Sequence, residues 1–515
     1  MIPSLILYML PIVILAVGGL VIMMADAFQG REGGLALPTA LMHFAAGTAA
    51  LALWGLAGDP ARVADASHVM GGYLAFDRQT LFLDMVIALG GMFASLLAGG
   101  YLEEHGLERG EFYVLLAFSS AGCMMLASAT DLVSLFIGLE TLSLGVYSLT
   151  GFRRGNPRSS EAALKYFLLG AFAAALLLYG SALLYGLTGH TDLPGIREAL
   201  TNHTGLGVPE ELRMRISIFA MLLVLAGFAF KIGAVPFHMW TPDAYEGAPT
   251  PATAFMAVAV KAAAFGGLLR VMLGLFGDPS GNASIAAGWP ALLAWIAVLT
   301  MTVANLVALA QTSVKRMLAY SSIAHAGFVL LGVVVAPRVD TVEGSTLRVG
   351  QSAVAAVLFY LLAYTVSNAG AFGTLIFAGS RNKEAVSYDD MAGLGRRNPA
   401  VALAFSFFVF SLAGVPPTVG FFAKFYVLRA TLDAGYTWLA VLAVLNSAIA
   451  AYYYLRVLVK MYMHQPAPGQ VKAVPMHSGY VVTTLIAAAV FVLWLGLNPT
   501  RCLQMAVEAA RQVVS

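Results

Sequence analysis

Charge is what this 515-residue chain has least of. Lys, Arg, Asp and Glu make up 11% of it, where an ordinary soluble domain carries roughly 25%. A surface so poor in charge cannot face water on all sides, so lipid must be the solvent for most of it. Neither sign dominates: 29 basic residues meet 27 acidic ones, no long basic run occurs, and nucleic-acid binding is excluded as a function. There are two cysteines, Cys123 in an apolar stretch and Cys502 near the tail. They offer neither a disulfide framework nor a metal-ligand spacing, and both are expected to be buried and structural. Soluble catalytic patterns are missing too. There is no Walker A loop, no GxGxxG after a strand, and no zinc or haem spacing, and His238 in PFHMW stands alone. No connecting stretch is long enough for a soluble domain, the longest running to about 20 to 27 residues. The chain therefore has no place of its own for a nucleotide, a flavin or an iron–sulfur cluster. The opening MIPSLILYMLPIVILAVGGLVIMM lacks a basic leader region and outruns a signal peptide's apolar core, so it is expected to stay as a first span.

Apolar residues account for 59% of the chain, and the mean hydropathy is +0.81. A membrane-crossing helix needs about 20 mostly apolar residues. Fourteen stretches qualify, beginning near residues 3, 35, 78, 112, 131, 161, 214, 250, 288, 317, 352, 400, 437 and 479. The expected fold is an all-α integral membrane protein of about fourteen transmembrane helices, with residues 1–515 as one membrane domain. An even number of spans puts both ends on one side. The dense basic clusters are Arg153, Arg154 and Arg158, then Lys315 and Arg316, then Arg381, Lys383, Arg396 and Arg397. They fall on the inside when both ends lie outside.

Span 7 reads FAFKIGAVPFHMWTP, with Pro236 and Pro242. Span 12 reads FVFSLAGVPPTVGFFAKF, with Pro416, Pro417 and Gly420. Proline removes a helix hydrogen bond and clashes with the preceding turn, and freed carbonyls are tolerated in a bilayer only where protein or water meets them. Two similarly broken helices at corresponding places point to inverted repeats around an ion path. Two inverted five-helix repeats are expected, spans 4–8 and spans 9–13, because an odd repeat length forces the copies into opposite topology. The chain then divides into residues 1–110 (spans 1–3), 111–276, 287–464, and 478–515 (last span and tail). Two unrelated kinks remain the plainer alternative.

An ionised side chain at the bilayer centre costs about 2.5 to 3.5 kcal/mol on insertion scales. Glu140 in SLFIGLETLSLGVYSL (span 5), Lys231 just before the break of span 7, Lys261 within span 8 and Lys424 just after the break of span 12 all occupy such places. Burial disfavours a charge and an opposite neighbour favours it. A Glu–Lys pair can therefore act as a switch whose separation releases the lysine's proton, and moving protons or cations is the function these four residues suggest. A static ion pair is the competing reading. His325 in YSSIAHAGFVLL is a candidate relay between lysines, or else a satisfied core histidine. Tyr360, Tyr364 and Asn368 share a face of span 11, where they line a hydrated path or bind helices together. The remaining charges read as structural. Asp131 and Glu161 lie near helix starts, Lys165 follows Glu161 by four residues, and the deeper Asp84 and Arg456 are candidates for contacts with a neighbouring subunit.

The stretch FKIGAVPFHMWTPDAYEGAPTPATAFMAVAVKAAAF closely resembles the signature of the antiporter-like membrane subunits of respiratory complex I, the proton-pumping NADH-quinone oxidoreductase. EAALKYFLLGAFAAALLLYGSALLYG in span 6 and VKRMLAYSSIAHAGF at span 10 extend the likeness, which covers about residues 75 to 465. The form is most similar to the subunit N type. The M type carries glutamate where this chain has Lys424, the L type continues into a long lateral helix, and Mrp-type sodium/proton antiporter subunits lack the WTPDAYEGAP form. The resemblance implies roles: Glu140 as the span-5 glutamate paired with Lys231, Lys261 in the central hydrophilic axis, His325 as relay and Lys424 as the terminal lysine. It further implies a bacterial inner-membrane location and partners in the other membrane and peripheral subunits of complex I. FMN, the iron–sulfur clusters and the quinone site would belong to those partners, and no cofactor to this chain. An Mrp-type cation/proton antiporter subunit and a non-conducting structural subunit are the alternatives.

Overall fold

Among the described residues, thirteen helices of the computed structural model are long and apolar enough to cross a bilayer. A further crossing is made of two half-helices, Pro399–Ala413 and Val419–Asp433. The description covers residues 2–29, 34–202, 209–277, 288–341, 347–379, 384, 386–465 and 478–513. Arg381, Lys383 and the repeat boundary at residue 287 lie outside it. The crossings are Leu10–Gln29, Ala36–Leu53, Arg78–Glu104, Gly110–Ser128 and Leu132–Thr150 (spans 1–5), then Pro157–Thr188 (span 6). Span 7 is Glu210–Ile232, followed by the short connector helix Trp240–Gly247. Span 8 runs from Thr250 to Phe276, with a π-helical turn at Met256–Val260. Trp289–Leu309, Val314–Val335 and Val349–Phe377 are spans 9–11, the two half-helices form span 12, and Thr437–Met463 and Gly479–Leu497 are spans 13 and 14.

Local chemistry sets where these helices start and stop. Asp77, Asp131, Asn156, Ser313 and Asn398 cap spans 3, 5, 6, 10 and 12, each side chain accepting from a first-turn N–H. Both breaks open on a glycine in the left-handed region, Gly233 at φ 73° and Gly414 at φ 87°, a few residues ahead of a proline. Pro242 breaks nothing. It sits in the first turn of the connector helix, where its missing N–H is not needed.

A backbone motif recurs once in each five-span unit. Beside the cap of span 5, Leu132 N donates to Thr191 O (2.8 Å) and Leu193 N to Thr130 O (2.9 Å), bridging Asp131 to Asp192. Beside the cap of span 10, Val314 N donates to Val386 O (2.6 Å) and Tyr388 N to Thr312 O (3.2 Å), bridging Ser313 to Ser387. In each unit the start of the second helix is stitched to the link that follows the third. Five crossings separate the two stitches, so they lie on opposite faces.

Spans 3, 8, 10 and 11 are buried along most of their length, while spans 1, 2, 6, 13 and 14 turn wide faces outward. Lipid gives helices no hydrophobic reason to associate, so close packing must hold them. Spans 4 and 5 interlock through glycine. A Cβ on Gly122 would stand 2.5 Å from Leu142 N, and one on Gly138 2.6 Å from Leu126 N. The buried Arg270 at the far end of span 8 grips Asp77 through both guanidinium nitrogens (2.8 and 3.0 Å). A last helix, Thr500–Val513, has too short an alanine stripe to register as an apolar run. It buries Ala506, Ala509 and Ala510, and Arg78 meets its Glu508 at 2.9 Å. Cys123 is fully buried, whereas Cys502 is only partly so, contrary to expectation.

The stitched topology places the loop after span 5 and the end of span 12 on opposite faces. In a Cys502→Ser background, a membrane-impermeant maleimide applied to sealed vesicles should label Arg154→Cys from one side and Asp433→Cys only from the other. Labelling of both from one side would refute the inversion.

Candidate functional site

Lys261, Ser322, His325 and Tyr360 stand eight to eleven residues from the starts of their spans. That is about 12–17 Å along the axis, near mid-depth of a ~30 Å hydrocarbon layer. None of the singled-out cations faces lipid. Lys231 is 2% exposed, Lys261 3%, and Lys424 and His325 7% each, while Glu140 is half-buried.

The first cluster surrounds the break of span 7. Lys231 Nζ donates to Ser143 Oγ at 2.7 Å and lies over the rings of Tyr147 (5.4 Å) and Tyr166 (5.5 Å). Ser143 in turn donates to the Leu139 carbonyl. The expected direct pair between Glu140 and Lys231 does not form among the described residues. Ser143, one turn beyond Glu140 on the same face, takes the lysine's hydrogen bond, and the carboxylate acts on Lys231 only through space. Glu140 Oε1 is buried without a protein partner. Trp240 stacks on Tyr166 (4.1 Å, 2°) and donates from Nε1 to Phe230 O at 2.9 Å, meeting a carbonyl beside the break.

The second cluster joins spans 8, 10, 11 and 13. Lys261, directly after the π-helical turn, donates to Ser322 O (2.5 Å) and Oγ (2.6 Å). π-turns gather at functional places in helices, and apolar periodicity could not reveal this one. His325 Nδ1 meets Tyr360 OH at 2.7 Å and its Nε2 meets Tyr454 OH at 3.2 Å, while Tyr454 OH shares a 2.5 Å bond with Ser321. Both Lys261 and Lys424 act electrostatically on His325. Asn368 donates to Tyr364 OH (2.7 Å), whose ring packs at 5.0 Å from the imidazole. Tyr245 of the connector helix stands beside Ser322, its hydroxyl buried without a protein partner. The third cluster is the break of span 12, where Lys424 Nζ donates to the freed carbonyl of Ala413 (2.9 Å) and lies over Phe328 (5.0 Å).

Sequence reasoning missed the aromatic and hydroxyl side chains between the cations (Ser143, Tyr147, Tyr166, Tyr245, Tyr454), because such residues are ordinary in apolar helices. It also missed Glu384. That carboxylate lies in the link after span 11 and gathers Tyr101, Arg153, Thr250 (2.8 Å) and the fully buried Lys315 (3.4 Å). Lone acid among basic neighbours was the available signal. Other charges are held within the chain. Arg456 donates to Leu309 O (2.8 Å) over the Tyr388 ring, Lys165 meets Glu161 at 2.7 Å, and the buried Asp84 has an oxygen without a partner.

Burial alone would push the Glu384 carboxyl up, but Lys315 and Arg153 outweigh it and hold it at about 2. A folded-state value below the unfolded one means stability that is present above the ordinary carboxylate range and lost as pH falls toward about 2. The shift corresponds to about 3 kcal/mol. Thermal midpoints should therefore fall between about pH 5 and the acid limit. Glu384→Gln should flatten that dependence and lower the midpoint at neutral pH. A variant with the native acid profile would sink the assignment.

A family of membrane segments described as NADH:quinone oxidoreductase/Mrp antiporter, TM, matches residues 129–450. A protein of Sorangium cellulosum named NADH-quinone oxidoreductase subunit N 1 is 56% identical over 510 residues, 97% of either chain. A chain of respiratory complex I from Thermus thermophilus superposes with a TM-score of 0.74 at 34% identity, covering 96% of this chain and 98% of that one. A chain of the Mrp complex from Dietzia shares the fold at TM-score 0.80 but is 20% identical, covering 100% of this chain and 98% of that one.

Proposed function

We propose, from the premise that this chain belongs to the NADH:quinone oxidoreductase/Mrp antiporter membrane family and within it to the subunit N type, that it carries protons across the membrane in an NADH-quinone oxidoreductase. Electron transfer from NADH through FMN and iron–sulfur centres to quinone would take place in partner subunits, with no redox step in this chain. The setting is a bacterial inner membrane, and the partners are the other membrane and peripheral subunits, neighbouring antiporter-like ones included.

One observation carries the reading: three buried lysines are separated by hydroxyls and one imidazole instead of by hydrocarbon. Each intervening group both donates and accepts a hydrogen bond, which a proton relay requires. Along the line, Glu140 Oε1, Tyr166 OH, Thr241 Oγ1 and Tyr245 OH are buried without protein partners. Buried polar atoms of that kind are ordinarily met by water.

The geometry suggests the order of events. Approach of charge at Glu140 strengthens the protonated form of Lys231, and its withdrawal frees a proton from Nζ. Ser322 and Tyr245 stand between that site and Lys261, and Ser321, Tyr454 and His325 between Lys261 and Lys424. At an effective dielectric of ~20, two like charges ~10 Å apart repel by roughly 1.7 kcal/mol. That is enough to bias the neighbouring proton equilibrium by about tenfold. Protonating one lysine therefore helps to discharge the next, and the sequence runs one way when Glu140 is the end being driven. The Mrp-type alternative shares the fold and is separated by purification in mild detergent. Co-purification with redox subunits supports the present reading, and a set of small antiporter subunits alone supports the other.

In the assembled complex in proteoliposomes, Lys231→Ala, Glu140→Ala and Lys424→Ala should each lower protons pumped per quinone reduced by roughly tenfold or more. Lys231→Arg separates relay from static pairing, since arginine keeps the charge but does not release its proton. It should fail to pump. Normal pumping by all four variants would leave a structural spacer as the better account.

A further inference from the structure

The connector helix Trp240–Gly247 is too short to cross anything, yet it reaches both inner lysine sites. At its first residue, Trp240 lies flat on Tyr166, whose ring also lies 5.5 Å from Lys231 Nζ, and its indole N–H holds the carbonyl of Phe230, the residue before Lys231. Five residues later, and in edge-on contact with Trp240 (6.2 Å), Tyr245 stands beside Ser322, which accepts from Lys261. Its backbone carbonyl accepts from Thr253 Oγ1 at the start of span 8 (2.9 Å). A shift of this helix therefore changes the surroundings of Lys231 and Lys261 together.

Its outer face is held by a charged tie. Arg316, in the first turn of span 10, donates from one nitrogen to Asp243 Oδ1 (2.8 Å) and to Glu246 Oε2 (2.8 Å). Asp243 and Glu246 project from the same helix three residues apart, so they share a face. Lys165 of span 6 takes the other Asp243 oxygen at 3.0 Å. Burial works against the Asp243 carboxylate, but Lys165 and Arg316 outweigh it and hold it below the usual range. The helix is thus tied on one side to span 6, which carries Tyr166, and on the other to span 10, which carries Ser322 and His325. The tie crosses between the two five-span units.

The geometry points to Arg316 as a positioning residue for proton transfer. Through Asp243 and Glu246 it sets the connector helix, so that Trp240 and Tyr245 keep the Lys231 and Lys261 sites in register. Arg316 touches neither lysine. Without the tie the helix would be free to shift, and the Trp240 ring and Tyr245 hydroxyl would leave their places. This inference rests on the proton-transfer reading of Lys231 and Lys261, and the test separates the two.

The assembled complex is reconstituted in proteoliposomes with Arg316→Gln, Arg316→Lys, Asp243→Asn/Glu246→Gln or, for reference, Lys231→Ala. Protons pumped per quinone reduced and the pH profile of pumping are measured per assembled complex. The titratable groups that face the two lysines are Glu140, Tyr147, Tyr166 and Cys123 around Lys231, and Tyr245 and His325 near Lys261. Arg316→Gln should lower the ratio roughly three- to tenfold, within the ~100-fold that a 1 Å misplacement can cost, and displace the profile. Arg316→Lys should restore most of it. A purely structural arginine would lower the amount of complex and leave ratio and profile native, which overturns the proposal. If Arg316→Gln does not assemble, the double carboxylate variant decides in the same way. Native pumping by Lys231→Ala would instead remove the underlying reading, and a dead Lys231→Ala beside a native Arg316→Gln removes only this inference.

Discussion

A helix that stops within a bilayer leaves carbonyl oxygens that hydrocarbon cannot meet, and the whole interior of this chain is arranged around meeting them. At the first break Phe230 O accepts from Gly233 N and from the Trp240 indole N–H; at the second, the Lys424 ammonium reaches Ala413 O. Each freed carbonyl costs several kcal/mol if left bare. Lys424 cannot leave its carbonyl without a substitute, which fixes it at one end of the axis; at the other, the Trp240–Tyr166 stack adds a second bond to Phe230 O. A polar interior follows from a backbone requirement before any proton moves.

The two breaks are alike in backbone and unlike in charge. Gly233 and Gly414 end their half-helices in the same left-handed conformation. Lys231, however, lies before its glycine and bonds a serine of span 5, whereas Lys424 lies after its glycine and bonds the broken end itself. A carboxylate acts on the first lysine through space. Among the described residues neither Lys261 nor Lys424 makes an ion pair. One end of the axis therefore answers to the Glu140 carboxylate, and at the other Lys261 and Lys424 both act on His325. An inverted repeat by itself has no direction; this unequal dressing supplies one.

Much of this was legible in the sequence, for a simple reason. A lysine inside twenty apolar residues is conspicuous, and so is a Gly-x-x-Pro in a span, so Lys231, Lys261, Lys424, Glu140 and both breaks stood out. Tyr166, Tyr147 and Tyr454 did not, because a tyrosine in a membrane helix is unremarkable until its ring is seen beneath an ammonium or its hydroxyl against an imidazole. The Glu140–Lys231 contact was read as direct because charge alone carries no information about an intervening hydroxyl such as Ser143. Glu384 escaped for the opposite reason: polar loops are full of carboxylates, and only the fold brings Lys315, Arg153 and Tyr101 around this one. Periodicity also missed the helix Thr500–Val513, whose buried stripe is three alanines.

The interlocked glycines of spans 4 and 5 limit how such a protein can work. With Gly122 against the backbone of Leu142 and Gly138 against that of Leu126, neither helix can slide along the other without steric collision at both points. Between spans 9 and 10, a Cβ on Gly327 would stand 2.9 Å from Met301 N and 3.0 Å from Ala297 O. These two pairs form the static frame of the molecule, and the work of a turnover cycle must fall to torsions of single side chains and to the loose ends of the interrupted helices.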